Sequence, residues 1–323
     1  MRRSRMKKTL LVMTVVVVMA GFGFGRALAE TNVGIFLWSD EKRYIETRDG
    51  MLAALKKEGF AEPKAKFITE NAGGNKAKAA EIAKKFSSGR YSLILVLGTS
   101  AAVALIQEVH DVPIVFGRVY DPIEAKIAAS WKSSGNNTTG TCTKQPMSKP
   151  LARLKELSPV KRLGALYTPG EKNSEIVLKE LQAEQAASGI KIIPVPIASK
   201  DDAVRLLDDI VRSVDAIYLT AGSSIDKSFS TIVETATKAK VITVTNVEDR
   251  VEKGVLFGVY CDATTEGKLA GEKAVKVLKG AKPSSIPIET LKQPDIIINM
   301  KTAKAAEVHV PPSLLKSAKR VIE

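Results

Sequence analysis

The 323-residue chain has little of what enzymatic chemistry draws on. It holds two histidines, His110 and His309, far apart and without neighbouring metal-ligand residues, so no metal centre is expected. There is no Gly-x-Ser-x-Gly elbow and no P-loop, which excludes the common hydrolase and nucleotide-phosphate routes. Gly73-Gly74-Asn75-Lys76 is one glycine pair before a lysine and reads as a plain loop. Aromatic residues make up 5% of the chain, and the lysines are scattered along it without a run. A nucleic-acid partner, which needs a concentrated basic patch with stacking rings, is excluded on that ground. Past residue 30 no apolar stretch approaches the ~20 residues of a membrane-spanning helix. The expectation is a non-enzyme without cofactor.

The N-terminus is the exception to the shortage of apolar runs. Arg2, Arg3, Arg5, Lys7 and Lys8 precede an apolar, glycine-laced stretch from Leu10 to Phe24, and Ala27-Leu28-Ala29 is a small-x-small cleavage site. Residues 1–29 therefore read as a secretory signal peptide cut after Ala29, giving a soluble periplasmic protein. Six of the +14 formal charges belong to this leader, which carries no acid, so the remainder is near +8. Cys142 and Cys261 then pass together through an oxidising compartment.

What the chain has is alternation. Apolar runs at Val33–Trp38, Lys66–Thr69, Tyr91–Leu97 and around Pro113 are separated by helical patterns, including Glu46–Lys57 and the Ala79, Ile82, Ala83, Phe86 stripe. Around Ser134–Thr141 the composition turns to glycine, asparagine and threonine, and then the alternation restarts. Strands are expected at Arg162–Tyr167, Lys191–Val195, Ala216–Leu219, Val241–Val244 and Val255–Tyr260. A helix is expected at Thr265–Lys279 and a last strand at Pro294–Met300. The pattern gives an α/β fold of two lobes, each with a parallel sheet and right-handed crossovers.

In open parallel sheets ligands bind beyond the carboxyl ends of the strands. Those ends carry Trp38, Ser39, Thr99, Ser100, Arg118, Tyr120 and Asp121 in the first half, and Tyr167, Asn173, Ser174, Ser223, Ser224, Asn246 and Glu248 in the second. Hydroxyls, amides, single charges and aromatic faces suit reversible capture of a small polar molecule. Helix N–H groups with serine or threonine hydroxyls hold a carboxylate, Arg118 an acid group, and Asp121 or Glu248 an amine. Each has a plainer alternative: Thr99, Ser100 and Ser174 as helix caps, Asp121 as a loop staple, Trp38 as wall, Arg118 bridged to a nearby carboxylate.

YSLILVLGTSAA (91–102), VPIVFGRVYDP (112–122), GNNTTGT (135–141), LGALYTPGEKNS (163–174), VDAIYL (214–219), EDRVEKG (248–254) and IINMKTAKAAEVHVPPSLL (297–315) together resemble the substrate-binding proteins of ABC importers with the type I periplasmic-binding fold. The similarity is to the group that includes tryptophan and other aromatic amino acid binders. It implies two Rossmann-like lobes joined by hinge strands, closing on one small molecule and presenting the closed form to a permease in the inner membrane. The lobes expected are 30–141, with part of 260–290 returning to it, and 142–260, with 291–323 packed on the second; the protein is expected to be a monomer. The ligand expected is a small polar or anionic molecule, an amino acid or related carboxylate. A periplasmic sensor feeding a signalling partner is the alternative, and a secreted enzyme a more distant one. Gly222 where the family often has an acid, Ala263 where it has an aromatic after Asp262, and Arg118 in place of a small residue turn the expectation toward a ligand with an extra acidic group. If the hinge crossings fall near Thr139–Thr143 and Tyr260–Asp262, Cys142 and Cys261 both lie there, and a disulfide between them is open.

Overall fold

The computed structural model describes residues 31–323; the leader expected at 1–29 lies outside them. The first half lays down strands β1 (Thr31–Leu37), β2 (Ala65–Asn71), β3 (Leu93–Leu97), β4 (Ile114–Val119) and β5 (Thr138–Cys142). Helices α1 (Lys42–Lys57), α2 (Lys76–Ser88) and α3 (Thr99–Glu108) alternate with them. The second half contributes α4 (Ser148–Leu157), β6 (Arg162–Tyr167), α5 (Lys172–Ala183), α6 (Gln185–Ser188), β7 (Lys191–Pro196), α7 (Lys200–Ser213) and β8 (Ala216–Leu219). It continues with α8 (Ser223–Lys227), α9 (Phe229–Lys238), β9 (Ile242–Thr245), α10 (Glu248–Glu252) and β10 (Phe257–Tyr260). The chain ends with α11 (Ala263–Leu278), β11 (Glu289–Thr290), β12 (Asp295–Asn299), two short helices and β13 (Arg320–Ile322).

Two sheets result. One runs β11-β5-β4-β3-β1-β2 and is parallel throughout; the other runs β13-β12-β10-β9-β8-β6-β7 and is parallel except where β12 lies against β10. Central strands such as β3, Leu-Ile-Leu-Val-Leu, are buried at every residue because helices cover both faces of the sheet. Local chemistry starts some of the covering helices: Ser199 and Asp202 form a reciprocal capping box at the head of α7.

The chain crosses between the sheets three times: after Cys142, after Tyr260, and between Thr290 and Asp295. The second crossing delivers α11 onto α1 of the first sheet. Their backbones meet without side chains between them, since a Cβ on Gly267 would stand 2.2 Å from the Thr47 carbonyl oxygen. Among the described residues no helix is long and apolar enough to cross a membrane.

Two local departures matter for the site. The helix expected from Glu46 starts earlier: α1 begins at Lys42, with Tyr44 N–H donating to the Glu41 carbonyl at 2.9 Å. Glu-Lys-Arg-Tyr-Ile-Glu contains no helix breaker, so the first turn extends back to the strand end. β4 likewise runs past Phe116 through Arg118, where a register shift against β5 and a φ of 56° mark a bulge.

Candidate functional site

The turns that follow β1, β3 and β4 face those that follow β6, β8 and β9, and residues from both sets wall the same enclosed spaces. One space, of about 30 Å3, lies between Thr99, Arg118 and Tyr120 on one side and Asn173 and Asn246 on the other. A second, of about 10 Å3, lies between Trp38, Thr99 and Ser100 and the Asn173, Ser223 and Asp226 side. Gly98 makes the first wall possible: at φ 103° it turns β3 into α3, and a Cβ there would stand 2.9 Å from the Trp38 Cβ. Glu248 lines a third crevice with Arg118. Ser39 is buried beside Trp38, and its Oγ has no hydrogen-bond partner among the described residues.

Other strand-end residues are turned to structural work. Asp121 accepts from the Ile123 and Glu124 N–H groups and from Lys144 Nζ at 2.5 Å, so it staples its loop and has no role open toward an amine. The Ser174 hydroxyl receives the Thr168 N–H and bonds Thr220 Oγ1 inside the second sheet's core, and Ser224 donates to the Ala198 carbonyl. Tyr167 closes β6 without lining the enclosed spaces. Arg118, expected to face a ligand acid, has its backbone N–H 2.7 Å from Glu266 Oε1 and its guanidinium 3.2 Å from Glu266 Oε2 and 2.9 Å from the Cys261 carbonyl. Glu266 is fully buried, so a guanidinium this close is held by the carboxylate it neutralises.

The charge that does stand free of its own sheet is Arg43, which the sequence reading passed over. From the first turn of α1 it reaches the other sheet: Nη2 lies 3.0 Å from Asp226 Oδ2 and Nη1 3.4 Å from Asp249 Oδ1. Asp226 also accepts two bonds from Arg250, at 3.1 and 2.6 Å, and Asp249 lies 3.2 Å from Lys253. The Arg43 guanidinium packs over the Tyr44 ring at 4.9 Å. Burial opposes the charge on Arg43, but Asp226, Tyr44 and Asp249 outweigh it and hold the guanidinium more firmly protonated than usual. Burial likewise works against the ionised Asp226 and Asp249, and the neighbouring arginines overcome it, holding both carboxyls below the ordinary range.

Two further acids close the ring. Burial pushes Glu41 and Glu171 above the usual carboxylate value. Glu41 Oε2 and Asn246 Oδ1 are buried acceptors with no hydrogen-bond partner among the described residues. Glu41, Glu171 and Asp249 lie four positions past a strand's carboxyl end, where the placement rule used above could have found them, whereas Arg43 and Asp226 lie six and seven positions past one, inside the following helices.

A second bridge joins the sheets nearer the hinge. Tyr120 Oη donates to Glu180 Oε2 at 2.5 Å, and Lys144, in the first crossing, lies 3.1 Å from Glu180 Oε1 while holding Asp121. Burial, followed by the Glu180 charge, keeps the Tyr120 hydroxyl protonated. Cys142 and Cys261 lie at the first and second crossings as free, buried thiols. The pairing left open above is not made: Cys261 Sγ is turned to the Thr143 carbonyl, 3.9 Å away. Burial pushes both thiols up to about 12.

The arrangement sets residues of two facing walls around a narrow polar gap, and the walls are tied together across it. The family model described as ABC transporter substrate binding protein matches residues 32–322. A tyrosine-binding protein of Clostridioides difficile is 28% identical over 281 residues, covering 86% of this chain and 81% of that one. The solved ABC domain in complex with L-Trp from Streptococcus pneumoniae is 28% identical, with a TM-score of 0.87, over 91% of this chain and 100% of that one. A ligand-free, open substrate-binding protein from Clostridium difficile is 27% identical over 90% of this chain and 99% of that one, with a TM-score of 0.71. At nearly equal identity the chain superposes better on the L-Trp complex than on the open form.

Proposed function

Since the chain belongs to the ABC transporter substrate-binding protein family, we propose that it is the extracytoplasmic capture subunit of an importer and closes its two lobes around one amino acid. The observation that carries this is the shared cavity: Thr99 and Tyr120 from one lobe and Asn173 and Asn246 from the other wall a single space. A ligand there touches both lobes at once, and only such contacts favour closure. The free N–H groups at the start of α3, with Thr99 and Ser100 hydroxyls, suit a carboxylate. Buried acceptors on the facing side suit an ammonium. Trp38 and Tyr44 supply apolar wall for a side chain. The relatives named above, one called tyrosine-binding and one holding L-Trp, support an amino acid as the solute class. The closed form would be what a permease reads.

Purified protein, unfolded and refolded to strip carried-over solute, is to be screened by thermal shift against amino acids, small carboxylates, sugars and purines. A solute at 100 times its dissociation constant stabilises by ~2.7 kcal/mol. A saturable shift confined to amino acids, tyrosine and tryptophan among them, is the expected result. A shift confined to sugars or purines would overturn the solute class, and none with any class would overturn the capture role.

A further inference from the structure

Arg43 stands where a ligand would have to stand. Its guanidinium borders both enclosed spaces, and these, at about 30 and about 10 Å3, admit a water but no amino acid. It comes from one lobe and ends on two carboxylates of the other, Asp226 and Asp249, each of which already has a cation of its own lobe, Arg250 and Lys253. A side chain that fills the cleft and bridges it through the partner lobe's recognition groups has the contacts of a bound ligand. A second observation points the same way. Asn246, 9% exposed, lines the same space, and its Oδ1 has no partner among the described residues. Glu41 Oε2, ion-paired with Arg43 at 4.0 Å, likewise accepts no hydrogen bond. Both atoms are acceptors, so what they lack is a donor.

We propose that Arg43 is a built-in competitor for the solute, and that the group it imitates is a cation: the solute's ammonium or guanidinium takes over Asp226 and Asp249 with Asn246 Oδ1 as a further acceptor, while Arg43 withdraws toward Glu41. This rests on the capture role proposed above and adds to it the part of the solute that decides recognition. It also makes Arg43 a specificity-determining residue. A solute without a cationic group leaves the aspartates paired to Arg43 and the cleft filled, whereas an amine-bearing one exchanges charge for charge. Closure without solute is the same contact, made by the protein with itself.

The test uses the guanidinium ion itself, at low millimolar concentration, against sodium chloride at the same ionic strength. Arg43→Ala is expected to show a saturable rise in Tm with guanidinium, and with methylammonium, but not with acetate. Wild type, and Arg43→Ala combined with Asp226→Asn, are expected to show none. Arg43→Gln, which keeps the stem, serves as the second variant and is expected to give a smaller rise. No saturable rise in either single variant, an equal rise in the double variant, or a rise with acetate instead would overturn the proposal. So would failure of both single variants to fold, because an exchangeable guanidinium cannot be required for the fold. Wild type that binds an amino acid beside an Arg43→Ala indifferent to guanidinium would sink this inference and leave the capture role standing. Guanidinium binding by Arg43→Ala beside a wild type that binds no solute would sink the capture role and the competitor role with it, leaving only a cation site at Asp226.

Discussion

Replacing Arg118 tests whether its guanidinium serves a solute or the fold. Its only ion-pair partner among the described residues is Glu266, whose side chain has no exposure, and Arg118's own is 7% exposed, so solvent screens the pair little. Removing one member of such a pair costs roughly 3–5 kcal/mol, because the other is left charged and buried. For a chain of this length, at roughly 2 °C per kcal/mol, Arg118→Ala should melt roughly 6–10 °C lower. Two controls separate charge from backbone. Arg118 holds a φ of 56°, a conformation glycine adopts freely, so Arg118→Gly should be more stable than Arg118→Ala by about 1 kcal/mol. Adding Glu266→Gln to Arg118→Ala should recover part of the loss, since the amide keeps the bonds to Thr141 and to the residue 118 N–H without a buried charge. Differential scanning calorimetry reads the stabilities, and titration calorimetry with the solute found in the screen reads affinity, expected to change by less than about tenfold. An Arg118→Ala protein that melts within about a degree of wild type yet no longer binds solute would refute the reasoning and return Arg118 to the ligand.

Tyr120→Phe removes the hydroxyl that bridges to Glu180 across the cleft. If closure makes this hydrogen bond to a charged group, its loss should weaken solute binding by about tenfold, some 1.5 kcal/mol, read by titration calorimetry. Glu41→Gln tests the pH dependence. Burial raises the Glu41 pKa in the folded protein, so the folded state binds the proton more tightly than the unfolded one. That contribution is full below the ordinary value near 4.5 and is lost as pH rises through the raised one. The variant should therefore be more stable than wild type at pH 7 and lose that advantage near pH 4, and an advantage unchanged across the range would contradict the assignment. Cys142 and Cys261, buried with thiols pushed up to about 12, should resist iodoacetamide in the native protein at pH 8. Both should alkylate once it is unfolded without reductant, as intact mass would show.

The sequence by itself determined the architecture. Runs such as Leu93–Leu97, Arg162–Tyr167 and Ala216–Leu219 declare themselves as buried strands because period and apolarity are local properties, and their order with the intervening helices leaves a parallel sheet in each half. Placing ligand chemistry beyond the strands' carboxyl ends then brought Trp38, Thr99, Ser100, Tyr120, Asn173, Ser223 and Asn246 to the cavity walls. The short elements were less legible. α10 and β11 have five and two residues, too few to show a period, and they form because neighbouring strands and helices hold them.

What only the tertiary structure decided is what each charge does there. Arg118 and Glu266 are separated by 148 positions, and Arg43 and Asp226 by 183. A buried charge is governed by whichever opposite charge lies within a few ångströms, and no pattern along the chain encodes that distance. Arg118, which looked like a ligand contact, is bound to the fold. Arg43, in the first turn of α1, spans the cleft.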